Sequence, residues 1–364
     1  MCGAAHRSPR VAIIGDDLTG AADAAAPFAD RGLTVSVDLA AVESSPDVDV
    51  LAVVTDSRWR PAPEAAEAVR KAVARLRTWD PTMLFVKVDS TLRGRVGDDV
   101  SAALKAWGAS RAVATPAFPA QGRIVRGGSL LVHGVPLVAD VADHFPTGVR
   151  VLDAASHEDL LGVARNVLEQ GDVAVGSGGL ARALAEVMVA GRPSAPQHGP
   201  ADPVCGVLVV VGTTHPVTAA QAGALVGAGA LPVVLRPSSA PPIGAAAAAL
   251  AQGRRVLLTC DPGAGLQPDS AAAVALAEEI GATVQVILDE APAAGLVLTG
   301  GATALAVAVT LGATALRLRC ELSEGLPLGE FAVGDRRVPV VTKSGGFGDP
   351  HALIRAAEAL EART

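Results

Sequence analysis

The sequence predicts an α/β fold of two domains, each a mostly parallel sheet flanked by helices, with the active site in the interdomain cleft. Three observations predict it. Short apolar runs alternate with helical patterns, as in parallel sheets with crossover helices. A proline-rich stretch divides the chain. Polar residues gather directly behind the apolar runs, where open α/β sheets bind ligands. At 364 residues the chain also exceeds the ~250 to 300 residues at which a single core stops growing.

The strands of the first half are expected at Val11 to Ile14, Thr34 to Val37, Val50 to Val54, Met83 to Val88, Arg111 to Ala114 and Val173 to Val175, with helices over Pro63 to Arg77 and Glu158 to Gln170. Pro193, Pro196, Pro200 and Pro203 then fall in one polar stretch. This places a substrate domain over 1–192, a linker over 193–204 and a nucleotide domain over 205–364. The second half repeats the alternation, with strands at Val207 to Val211, Val233 to Leu235, Arg255 to Leu258, Leu296 to Leu298, Ala315 to Leu318 and Val338 to Val341. Gly244 to Ala251 reads as a helix of high intrinsic propensity. No repeat of fixed period is visible, which excludes a solenoid.

Composition removes several function classes. The formal charge is -7, and there is no Tyr beside only six Phe and three Trp. A nucleic-acid binder needs a basic surface and stacking partners, so none is expected. Cys2, Cys205, Cys260 and Cys320 are far apart and form no metal-ligand pair, so the reading is a reduced, metal-free, cytoplasmic protein. No apolar run reaches the ~18 residues of a membrane span.

The residues directly behind each apolar run carry the chemistry. In the first half these segments are Gly15-Asp16-Asp17-Leu18-Thr19-Gly20, Thr55-Asp56-Ser57-Arg58, Lys87-Val88-Asp89-Ser90-Thr91-Leu92-Arg93 and Thr115 to Arg123. Two of the chain's four lysines, Lys87 and Lys343, lie in such positions. Arg holds a carboxylate with two parallel hydrogen bonds and Asp accepts from hydroxyls, so this set suits a small polyhydroxylated anion. In the second half the corresponding turns are Gly212-Thr213-Thr214-His215, Thr299-Gly300-Gly301-Ala302-Thr303 and Lys343-Ser344-Gly345-Gly346-Phe347-Gly348-Asp349. Glycine lets backbone N–H groups approach an oxyanion closely, which suits phosphate. An acid-sugar pocket and a nucleotide pocket in one chain imply phosphoryl transfer.

Each element has a plainer reading. Asp16 and Asp17 also suit the start of a helix near Thr19, and His215 suits a helix start better than a metal site. Gly-Gly turns alone are usually structural. Gly15 to Gly20 lacks the Lys-Ser/Thr pair of a P-loop. Co-occurrence in one chain carries the site.

Five segments resemble the four-carbon acid sugar kinase family. They are Gly15 to Ala21, Lys87 to Gly94, Pro116 to Arg123, His133-Gly134-Val135-Pro136-Leu137 and Lys343 to Asp349. The resemblance runs from about Val11 to Ile354. It implies a sugar-acid-binding amino-terminal domain, a nucleotide-binding carboxyl-terminal domain, and use of ATP with Mg²⁺ to phosphorylate threonate, erythronate or a 3-oxo-tetronate. His215 stands where the family has serine before a proline, and Ala302 replaces an acidic residue.

The expected substrate contacts are Asp16, Asp56, Arg58, Lys87, Asp89, Ser90, Arg93, Gln121, Arg123 and His133, with Arg93 or Arg123 on the carboxylate. The expected ATP contacts are Gly212, Thr213, His215, Gly300, Gly301, Ala302, Thr303, Gly345 and Gly346. Asp17 is the expected acceptor of the hydroxyl proton, and Lys343 the cation that neutralises the transferring phosphoryl. Domain closure over the linker would exclude water. Two rival readings are a kinase of another small hydroxy acid or polyol, and a sugar-acid sensor without turnover. A homo-oligomer is compatible with either.

Overall fold

The computed structural model describes residues 9–39, 47–189, 205–236, 241–261 and 270–362, so the proline-rich segment 193–204 lies outside the described residues. The chain divides into two compact units. The first comprises Met1–Asp16, Pro27–Val37 and Val42–Ser194; the second comprises Asp17–Ala26, Asp38–Ala41 and Ala195–Thr364. The second unit is therefore discontinuous in sequence.

In chain order the first half contains β1 (Val11–Gly15), α1 (Leu18–Asp30), β2 (Val35–Asp38), β3 (Val50–Val54), α2 (Ala62–Thr78), β4 (Met83–Lys87), α3 (Val96–Trp107) and β5 (Ala112–Thr115). It continues with β6 (Arg123–Arg126), β7 (Ser129–Val132), β8 (Val135–Val138), β9 (Val149–Val151), α4 (His157–Gln170), β10 (Val173–Gly176) and α5 (Gly178–Met188). The main sheet runs β2-β3-β1-β4-β10-β5-β9. β1 is parallel to both β3 and β4, and β10 to both β4 and β5. The central strands are buried on both faces, so they read as unbroken Val/Ile/Leu/Ala runs without alternation. Register aligns Gly15 with Val54 and Lys87, and Gly176 with Lys87 and Thr115. The segments behind these five strands thus all start at one edge.

Local signals agree with this layout. Ser156 and Asp159 form a reciprocal capping box at the start of α4, which ends at Gly171 in the left-handed region. Beyond the expected elements, β6, β7 and β8 form a separate antiparallel sheet.

The second half contains β11 (Val207–Val211), α6 (Pro216–Gly227), β12 (Leu231–Leu235), α7 (Ile243–Ala251), β13 (Val256–Cys260) and α8 (Ala271–Glu290). It ends with β14 (Gly295–Thr299), α9 (Gly301–Thr310), β15 (Ala315–Glu321), β16 (Pro327–Val333), β17 (Arg336–Lys343) and α10 (Ala352–Glu361). Its strands run β12-β13-β11-β14-β17-β16-β15. The first five are parallel, whereas β15, β16 and β17 form an antiparallel meander. β16 has no counterpart in the expected strand set. Val209, Val297 and Val341 on the strands meet Leu353, Ala356 and Leu360 of α10 in the core.

The expectation that no apolar stretch reaches membrane-span length is corrected by α8, whose 20 residues are long and apolar enough by composition. Its packing is that of a layer helix: a Cβ at Gly281 would lie 2.6 Å from Thr310 Oγ1 and 3.1 Å from the Ala306 carbonyl of α9.

Candidate active site

The carboxyl-terminal edge of the first unit's sheet carries two ion pairs. Arg58 donates to both oxygens of Asp16, at 2.6 and 2.7 Å, and the two side chains are only 11% and 9% exposed. Arg93 donates to both oxygens of Asp89, at 3.1 and 2.6 Å. Burial alone would raise the Asp89 pKa, but the hydrogen bond from Arg93 and the nearby charge of Arg58 hold it well below the usual carboxylate range. Asp89 also accepts from the backbone N–H and hydroxyl of Thr91, closing a tight turn in which Leu92 has φ +60. Arg123 donates to the buried Ser90 hydroxyl. A Cβ at Gly94 would lie 3.0 Å from Arg58 Cγ and 3.5 Å from Asp16 Oδ2, so the loop after β4 closes over the Asp16–Arg58 pair.

Other expected substrate residues are placed differently. Asp56, with φ +50, is exposed and paired with Arg60 at 2.8 Å. Lys87 is buried and donates to the Val88 carbonyl. His133 is exposed, at the β7–β8 turn with φ +49, and its ring lies over Gly122. Gln121 ends a short 3-10 turn, Pro119–Gln121, where it is half-buried. Of the four described non-glycine residues with positive φ, Asp56, Leu92 and His133 fall in segments behind or beside this edge, and Asp80 precedes β4.

In the second unit three turns converge. A Cβ on Gly212 would fall 1.9 Å from Thr303 Oγ1, and one on Gly345 would fall 2.9 Å from Thr213 Oγ1. Gly300, with φ +100, lies between Thr213 and Thr303 and leads into α9, whose first residue is Gly301. Closely approached backbone at a helix start is an anion-binding arrangement. Ala302 is exposed on the first turn of α9, while Thr303 is buried beneath Gly212.

Asp17 belongs to this unit. Its Oδ1 accepts from the Gly20 backbone N–H at 2.6 Å, a helix cap for α1. Its Oδ2 faces Gly301, where an added Cβ would sit 2.5 Å away. The cap and the approach to the glycine turn therefore use different oxygens of one carboxylate. Thr19 Oγ1 accepts from Ser344 Oγ at 3.3 Å, which ties the same helix start to the loop after β17.

Two expected site residues also hold structural contacts. Lys343 is 1% exposed. Its ammonium donates to Thr218 Oγ1 and to the carbonyls of Ser344 and Phe347, at 3.1, 2.9 and 3.1 Å. Burial lowers its pKa to about 7. These bonds tie the ammonium to the loop after β17. His215 likewise serves as the cap of α6, its Nδ1 accepting from the Val217 N–H at 3.2 Å.

Sequence reasoning missed Thr218 and Gln221. Thr218 donates to the Gly345 carbonyl at 2.6 Å, and Gln221 Nε2 donates to the carbonyls of Phe347, Gly348 and Asp349. Both are fully buried. The available signal was their spacing of three on a helix otherwise made of Pro, Ala, Gly, Val and Leu.

Residues 11–150 match a family described as a sugar-binding N-terminal domain, and residues 208–353 one described as a nucleotide-binding C-terminal domain. The chain is 35% identical to the D-threonate kinase of Bordetella bronchiseptica, with 98% of each chain covered. It is 30% identical to the D-threonate kinase of Salmonella typhimurium, covering 95% of this chain and 97% of that one. Against the D-erythronate kinase of Heliobacterium modesticaldum identity is 39%, over 35% of this chain and 30% of the relative. A Haemophilus influenzae crystal structure shares the fold, with a TM-score of 0.69 at 20% identity, covering 96% of this chain and 99% of that one. With full-length relatives at this identity and both domain families matched in order, the chain belongs to the four-carbon acid sugar kinase family.

Proposed function

We propose that this protein is an ATP-dependent kinase that transfers a phosphoryl group directly to a hydroxyl of D-threonate or a closely related four-carbon sugar acid. The observation that carries the reading is the Asp17 carboxylate, with one oxygen committed to capping α1 and the other against the Gly300-Gly301 turn. A base there accepts the proton of the attacked hydroxyl. The full-length relatives named D-threonate kinase support the choice of acid.

The turns of the second unit fit nucleotide phosphates, since side chains at Gly212, Gly301 and Gly345 would fill the space that backbone N–H groups need to reach them. ATP supplies the phosphoryl group, and Mg²⁺ enters as the partner of its phosphates, the usual mode for this ion. Phosphoryl transfer rests on positioning and charge, so the chain's task is to hold the phosphate-facing turns still. Thr218, Gln221 and Lys343 do this for the loop after β17. In the first unit Arg93, with a side chain 58% exposed, and Arg123 are the cations for the acid's carboxylate.

ADP release measured across threonate, erythronate and 3-oxo-tetronate isomers tests the reading. Turnover on D-threonate is expected. Turnover confined to other hydroxy acids or polyols would replace the substrate, and acid binding without ADP release would replace the kinase by a sensor. Arg93→Ala should raise the Michaelis constant for the acid about tenfold, or ~1.4 kcal/mol, while leaving that for ATP within twofold. An unchanged acid constant removes Arg93 from the site. Gly345→Val should abolish calorimetrically detectable ATP binding in a folded protein, because the new methyls meet Thr213 and His215. Parental ATP affinity in that variant would move the phosphates elsewhere.

A further inference from the structure

Buried behind the Asp16–Arg58 pair is a chain of polar groups that no part of the proposed reaction uses. Asp99, in the first turn of α3, is 8% exposed, and its Oδ1 has no hydrogen-bond partner. Its Oδ2 lies 2.7 Å from Ser57 Oγ. Ser57, fully buried, lies 2.8 Å from Thr55 Oγ1, which in turn lies 3.1 Å from the Gly15 carbonyl. The chain thus links α3, the residues after β3 and the last residue of β1, immediately before Asp16.

Counting protons decides how the chain works. A carbonyl only accepts, so the Thr55 hydroxyl must donate to Gly15. Thr55 then accepts from Ser57, whose single proton is thereby used. The third contact, Ser57 with Asp99, is a hydrogen bond only if the proton comes from Asp99. Ionised Asp99 instead takes the Ser57 proton, and the single Thr55 hydroxyl proton can then serve Ser57 or Gly15 but not both, so one side-chain bond is lost while the Thr55 backbone N–H still donates to the Gly15 carbonyl at 2.9 Å.

We infer that Asp99 is a proton-carrying positioning residue for the sugar-acid site: protonated, it completes the hydroxyl chain from α3 to the end of β1, and ionised, it breaks one bond of that chain and adds a negative charge behind the pocket. The surrounding groups agree. Burial, with the negative charges of Asp16 and Asp98 against the positive charge of Arg95 and the Ser57 hydrogen bond, raises the Asp99 pKa to about 6. Arg58 pairs with Asp16. A sugar acid is itself ionised throughout this range, so affinity for it falls as pH rises through 6. The link to the ligand rests on the sugar-acid reading; the link to the fold does not.

Asp99→Asn provides the test, because its amide donates to Ser57 permanently and so imitates the protonated state. Two measurements on the whole protein separate the possibilities. Thermal midpoints without ligand are compared from pH 5 to 7.5. A carboxyl whose pKa is raised by folding stabilises fully below its unfolded value, and that contribution declines until pH passes the folded one, so the parent should fall relative to Asp99→Asn from pH 5 to about 6 and level off above it. Parallel curves overturn the inference. D-threonate binding without nucleotide is then titrated by calorimetry over the same range. The parent's dissociation constant should rise about five- to tenfold, the effect of one added like charge, with the variant flat within twofold. Histidine titration is common to both proteins and cancels. Equal pH dependence in both proteins overturns the coupling to the ligand. No threonate binding at any pH, with the thermal difference present, overturns the substrate and leaves the proton switch.

Discussion

Asp17→Asn is expected to fold like the parent and to turn over roughly 10² to 10⁴-fold more slowly. Asn caps a helix about as well as Asp, so the Gly20 N–H keeps its acceptor and α1 keeps its start. Size and shape at Gly301 are also preserved. What disappears is the capacity to take a proton from the attacked hydroxyl. Single-turnover measurement of ADP formation at saturating substrates isolates that step, and calorimetric binding of ATP and acid should be near parental. A rate within a few-fold of parental would reduce Asp17 to a cap. Asp16 and Asp349 would not replace it, since each is already engaged by a guanidinium, Arg58 and Arg355. The pair of Asp89 with Arg93 leaves that residue no better placed.

The largest stability loss should come from Arg58→Ala. Removing one partner of a buried ion pair typically costs ~3 to 5 kcal/mol, because the remaining charge stays desolvated and unpaired. At Asp16 this corresponds to a drop in thermal midpoint on the order of 10 °C for a domain of this size. The loss should shrink on acidification, since protonating Asp16 removes the stranded charge. Scanning calorimetry at pH 7.5 and pH 5 checks both statements. A midpoint within 2 °C of parental at pH 7.5 would mean that water reaches Asp16 and that the pair is not a buried one.

Legibility tracks the physical origin of each feature. The parallel strands are readable because burial on both faces leaves unbroken apolar runs, as in β1 and β11. The antiparallel sheet of β6, β7 and β8 is not, because its strands are short and mostly half-buried or exposed. β16 carries Gly and Glu within its run, Leu328-Gly329-Glu330, and a Cβ at that glycine would strike the Arg317 carbonyl of β15. The strand needs the glycine for close approach, which masks it as a turn.

Among site residues, spacing locates the loops but not the partners within them. Asp16, Arg58, Asp89 and Arg93 all read as ligand contacts in the sequence, yet Asp16 pairs with Arg58 and Asp89 with Arg93. Lys343 stands out by its charge and its position after a strand. Only the three-dimensional arrangement reveals the carbonyls that consume that charge. Asp99 is invisible for the opposite reason. An acidic residue in the first turn of a helix is the ordinary complement to the helix dipole, and nothing in its neighbourhood in the chain announces the hydroxyls of Ser57 and Thr55.

The discontinuity of the second unit bears on how this protein can be dissected. A fragment beginning after the proline-rich segment would omit Asp17–Ala26 and Asp38–Ala41, which cluster with Ala195–Thr364. It would lack the carboxylate over Gly301 and the Thr19 hydroxyl that Ser344 meets. Leu18, Ala21, Ala22, Ala24, Ala25 and Ala26, all without exposure in the intact chain, would be missing as well. Split reporters, domain transplants and fragment libraries cut at residue 204 therefore divide the second unit instead of separating the two. A self-sufficient nucleotide-binding fragment would have to carry the start of the first helix, grafted or permuted onto it, and its recovery of ATP binding would show how much of that helix the unit requires.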